Sequence, residues 1–130
     1  MEIRARLDYV KKALKLYQAV LAFVYDSRRD PVDYIERLMW SVAPAFEPLA
    51  GIIGVDASAY NVEEVRKAFD VDHLVVPAVM FFLHGRRVWQ QQGLFYNIEY
   101  DKLAIRVGIR KALEAWGIKP AQLGLKLHLL

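Results

Sequence analysis

Cysteine is absent from the 130-residue chain. That excludes disulfides, thiolate nucleophiles, Cys-X-X-Cys redox chemistry and cysteine-ligated zinc. Histidine is scarce. His73, His84 and His128 stand far apart, in neither an H-x-x-x-H nor an H-E-x-x-H spacing, so neither a metal site nor a cofactor is expected. No glycine-rich phosphate loop, G-x-S-x-G elbow or paired-carboxylate arrangement occurs, so no catalytic residue is assigned. No run approaches the roughly eighteen apolar residues of a membrane span. The start, Met-Glu-Ile-Arg-Ala-Arg, lacks a signal-peptide apolar core, and a cytoplasmic location is the expectation. Asparagine occurs only at Asn61 and Asn97, which fits a heat-adapted source. What is present is 55% apolar and 25% charged residues, the composition of one folded domain over 1–130. The net charge of +3 is too mild to decide a partner.

Hydrophobic periodicity orders the chain. Ile3, Leu7, Val10, Leu14 and Tyr17 predict a helix over 2–18, with Arg4, Arg6, Lys11, Lys12 and Lys15 mostly off its apolar stripe. The apolar run 19–25 predicts a strand covered on both faces. Asp30 followed by Pro31 reads as a helix cap and first helical residue. Ile35, Leu38, Met39 and Val42 face inward, and Pro44 and Pro48 kink or end that helix. Residues 50–56 read as a second strand. Asn61 and Glu64 form a capping box for a short helix with Val62, Val65 and Phe69 inward. A third strand over 75–83 has Pro77 near its start, and a His84-Gly85 turn leads into a returning strand over 86–92, closed by Gly93. A last helix over 99–116 offers Leu103, Ile109, Ala112, Leu113 and Trp116 to the core and stops at Gly117. In the tail, Leu123, Leu125, Leu127 and Leu129 alternate with Gly124, Lys126 and His128, the period of an extra strand. The order predicts an α/β domain: a central mixed four-stranded sheet with helices on both faces.

Several segments resemble the thioredoxin-like superfamily over about residues 18 to 116. Val20-Leu21-Ala22-Phe23-Val24-Tyr25 is similar to the strand that leads to the thioredoxin active site. Arg29-Asp30-Pro31-Val32 falls where that family carries Cys-Gly-Pro-Cys. Val76-Pro77-Ala78 resembles the segment whose proline is cis, Phe81 to Val88 the hairpin, and Gly93 the glycine after it. Asp30-Pro31, Trp40-Ser41-Val42-Ala43, Val55-Asp56 and Val79-Met80-Phe81-Phe82 also resemble, to a limited extent, segments of the cysteine-poor spliceosomal thioredoxin-like proteins. This implies a redox-inactive branch of the fold and no splicing role. Arg29 and Val32 supply no thiolate, and Phe23 stands where thioredoxins keep a buried acid.

The resemblance implies that the substrate-facing surface persists without its chemistry. Arg28, Arg29, Asp30, Val76, Pro77, Leu94, Phe95 and Tyr96 then form a protein-binding site. Val76 offers its backbone to an extended peptide, the arginines suit an acidic partner, and the aromatics anchor it. For Phe95 and Tyr96 the alternative is cover for the core under the last helix. The leading expectation is therefore a non-catalytic interaction module or adaptor for a protein partner. The second is nucleic-acid binding by Lys102, Arg106, Arg110 and Lys111 on the last helix together with the basic first helix, against a solvated face balanced by Glu99, Asp101 and Glu114. A third expectation is self-association into a homodimer through residues 121–130.

Overall fold

A computed structural model describes all 130 residues. Strand β1 (Ala19–Tyr25) is apolar throughout because it is the inner strand of the sheet and is covered on both faces. It pairs in parallel with β2 (Gly51–Asp56) and antiparallel with β3 (Ala78–Leu83), which in turn pairs antiparallel with β4 (Arg86–Gln92). The order is β2-β1-β3-β4. Successive β1 side chains alternate between two cores. Leu21, Phe23 and Tyr25 meet helices α2 (Val32–Phe46) and α4 (Ile98–Ala115), and Val20, Ala22 and Val24 meet α1 (Leu7–Leu16) and α3 (Val62–Phe69). The expected mixed sheet with helices on both faces is thus the observed one.

The differences from the sequence reading have local causes. Helix α1 begins only at Leu7, because residues 2–5 run beside β2: Glu2 donates to Ile52 O and accepts from Gly54 N–H, and Ala5 donates to Gly54 O. The outer edge of β2 is thereby covered, whereas β4 pairs on one side only. Asp30 does not cap α2. The N-cap position is Pro31, which has no side chain to serve, and Asp30 instead accepts a hydrogen bond from the Asp26 N–H. Pro44 lies inside α2 and the helix continues to Phe46. Asn61 and Glu64 form the expected capping box, but Val62 is exposed. In α4, Ile109 and Leu113 enter the core, while Leu103 and Trp116 stay exposed.

The tail is not a strand. It forms two short 3-10 turns, Pro120–Leu123 and Leu127–Leu129, with Gly124 between them at φ +74°. Lys126 N–H donates to Ala45 O of α2. Leu123, Leu125 and Leu127 are buried in the same core as α2 and α4. Three of the four alternating leucines that motivated self-association through 121–130 are therefore covered within the chain, while Leu129 stays 42% exposed. A turn conformation can bury alternate leucines as well as a strand can, and period two alone does not separate the two.

Candidate functional site

The ends of β1 and β2, the segment before β3 and the loop after β4 meet at one end of the sheet. Asp26, the first residue past β1, is buried. Its Oδ1 accepts from Arg28 N–H (2.9 Å) and Nε (3.0 Å), its Oδ2 accepts from an Arg28 terminal nitrogen (2.9 Å), and Arg29 Nε stands 3.6 Å from Oδ2. These hydrogen bonds from Arg28 hold the Asp26 carboxyl below its ordinary pKa, and Asp26 in turn raises that of Arg28. Asp56, at the end of β2, accepts from Ser27 N–H (3.1 Å) and Ser58 N–H (3.0 Å). Burial pushes the Asp56 carboxyl up, but the hydrogen bonds from Ser27 and Ser58 outweigh it and hold it at about 2.

The Val76–Pro77 peptide is cis. Arg29 reaches across and donates to Val76 O at 3.4 Å, and Pro77 O accepts from Gly93 N–H at 2.7 Å. The Val76 N–H has no partner in the chain. Beside it lies an open apolar groove of about 240 Å³, floored by Tyr60, Val62, Val65, Leu74 and Val76 and rimmed by Arg28 and Arg29.

The loop after β4 is held by Asp101, whose side chain is fully buried under it. Its Oδ1 accepts from Phe95 N–H (2.9 Å), and its Oδ2 accepts from Tyr96 N–H (3.2 Å) and from the Tyr34 hydroxyl. Burial first, then this hydrogen bond to Asp101, raises the Tyr34 phenol well above its ordinary value. Tyr96 takes a left-handed backbone (φ 59°) and packs edge-on against Tyr34 at 5.5 Å. The Tyr96 phenol is raised by burial and by the charges of Asp30 and Asp101.

Arg28, Arg29, Asp30, Val76, Pro77 and Tyr96 therefore share one end of the molecule. Leu94 is different: it packs against the core under α4. Phe95 does not cover the core, being 63% exposed and edge-on to Tyr100 at 6.5 Å, whereas Tyr96, 48% exposed, covers one edge of the core residue Tyr34. Sequence reasoning missed Asp26, Tyr34, Tyr60 and Leu74, and it placed Asp101 on a solvated face. The signal for Asp101 was present, since it falls in phase with Ile105, Gly108 and Ile109 on the buried stripe of α4. The basic residues of α4 are divided. Arg110 and Lys111 are exposed and Lys102 is half-buried, whereas Arg106 donates to Leu130 O at 3.0 Å. Helices α1 and α4 lie on opposite faces of the sheet, so their cations do not make one continuous stripe. No group of three or more histidine or carboxylate side chains is placed to hold a metal ion, and no helix is long and apolar enough to cross a membrane.

These features define a thioredoxin fold without its redox residues. Solved thioredoxins superpose on it. A mutant thioredoxin from Halobacterium salinarum NRC-1 matches with a TM-score of 0.59 and 18% identity, over 83% of this chain and 88% of that one. The oxidised thioredoxin of Plasmodium falciparum matches with a TM-score of 0.57 and 13% identity, over 86% and 92%. Oxidised thioredoxin O2 of Arabidopsis thaliana gives 0.56 and 14%, over 84% and 87%. No protein-family model matches the chain, and no curated protein matches it in sequence. With no cysteine anywhere in it, the chain supplies no thiol for thiol–disulfide exchange.

Proposed function

We propose that this chain is a non-catalytic protein-interaction module that receives an extended segment of a protein partner at the end of the sheet where thioredoxins carry their cysteines. The observation that carries the reading is the apolar groove beside Val76, with the unpaired Val76 N–H at its margin. An extended segment laid along residues 74–76 gains a main-chain hydrogen bond from that N–H and seats alternate side chains on Val62 and Leu74. Arg28 and Arg29 favour a segment with carboxylates flanking its apolar residue. The arginines are poor positions for a test, because removing them strands the buried Asp26 carboxylate.

Val62 and Phe95 are exposed, so Val62→Glu and Phe95→Ser disturb the surface and leave the fold intact. The test is capture from native extract on the immobilised chain, with half the sample nuclease-treated. Specific proteins retained after nuclease and lost from the Val62→Glu or Phe95→Ser chain support the reading. Capture unchanged by both substitutions sinks the site assignment. Capture that vanishes with nuclease moves the function to nucleic-acid binding through Arg110 and Lys111.

A further inference from the structure

The outward face of α4 carries a pattern that the binding-site reading does not use. Residues 100, 103, 107 and 110 follow one another at helical steps of three and four and share one face. The opposite stripe, Asp101, Ile105, Gly108 and Ile109, is buried against the sheet. Gly108 lies directly on the Trp89 ring of β4, so α4 sits close down and its outer face stands clear. That face is apolar at its centre: Tyr100 is 63% exposed, Leu103 44% and Val107 41%. Lone exposed apolar residues need no explanation. Three in one line on the solvent-most stripe of a helix, bounded by charge at both ends, do.

The order along the stripe is self-complementary. Glu99 and Tyr100 lie one turn before Leu103, and Arg110 and Lys111 lie one turn past Val107. Two copies of α4 laid antiparallel about a two-fold axis at the level of Ile105 bring Leu103 against Val107 of the second copy, twice. On one flank Glu99 then meets Arg110 of the second copy. On the other flank Tyr100 meets Lys111 of the second copy as a cation over an aromatic ring. A parallel arrangement instead sets Arg110 and Lys111 against their own copies, so the charges select the antiparallel one.

We infer that the outer face of α4 is a self-association surface, whose partner is a second copy of this chain joined through an antiparallel α4–α4 contact centred on Leu103 and Val107. A contact of one helix face on its copy lies at the small end of specific interfaces, below about 1,200 Å² in total. The association is therefore concentration-dependent. It is independent of the groove beside Val76 and stands or falls separately.

Sedimentation velocity on the full chain, from micromolar to near-millimolar concentration, tests it. The expected result is a mass rising from one copy towards two. Leu103→Asp combined with Val107→Asp holds the chain at one copy while it still melts cooperatively, because neither side chain belongs to the buried core. Arg110→Glu with Lys111→Glu weakens association by about tenfold, the loss of several exposed charge contacts, and adding Glu99→Lys recovers most of it. One copy at every concentration overturns the inference. So does a dimer that survives Leu103→Asp with Val107→Asp, since the contact then lies elsewhere, residues 121–130 included.

Discussion

Asp101 shows how a single carboxylate organises the site. It accepts three hydrogen bonds with no solvent exposure, from two loop amides and the Tyr34 hydroxyl. Removing it leaves the buried Tyr34 hydroxyl unpaired, at a cost of about 1–3 kcal/mol, and frees two part-buried loop amides at a smaller cost each. Asp101→Ala is expected to destabilise the chain by about 2–4 kcal/mol, and Tyr34→Phe by about 1 kcal/mol. A denaturation double-mutant cycle checks this, since two residues in direct contact give a non-additive sum. Asp56 gives a pH prediction. Its folded pKa of about 2 lies below the ordinary unfolded carboxylate value of about 3.9. The folded state therefore holds fewer protons, and the contribution is complete above about pH 5 and lost as pH falls towards 2. At neutral pH, Asp56→Ala is expected to cost about 1 kcal/mol, as for a lost cap. The gap between the two proteins should close in thermal melts taken down to acid pH, and a gap that is constant with pH contradicts the assignment. The burial of Asp101 was legible in its phase with Ile105 and Ile109 on α4, but its three donors were not. Asp56 reads only as the end of a strand. The identity of Asp26 suggests solvent exposure, and only its position relative to the folded neighbours makes it a buried acceptor.

At the scale of elements, the strands were legible because β1, β2 and β3 are uninterrupted apolar runs bounded by polar or turn residues. The capping box at Asn61 and Glu64 was equally local and equally legible. What escaped were the features set by partners distant in sequence. Residues 2–5 fit a helical stripe until the edge of β2 offers them hydrogen bonds. The tail leucines fit a strand until the pocket beside α2 offers them burial. The seat of α4 was also missed, because Gly108 reads as a mid-helix weak point and gains meaning only over Trp89. A methyl group at that position collides with the indole. Gly108→Ala is accordingly expected to lower stability by about 2 kcal/mol, despite the better helix propensity of alanine. An unchanged or raised melting temperature contradicts the close seating of α4.

At the scale of the whole molecule, the chain keeps the thioredoxin layout and lacks any thiol to work with. One end of the sheet is tied together by Asp26, Asp56 and Asp101, and one main-chain donor, the Val76 N–H, is left free there beside an apolar groove. The short sequence segments that carried the resemblance do lie together at this end of the molecule. They could not show the groove, whose floor comes from Tyr60, Val62 and Leu74, residues that no thioredoxin motif marks. Amide hydrogen exchange on the chain with and without its captured partner decides whether the groove is where the partner binds. Strong new protection is expected at Val76, with lesser protection across residues 60–62 and 93–96. An unchanged Val76 amide, with protection confined to α1 or to Arg110 and Lys111 of α4, would contradict binding at the groove.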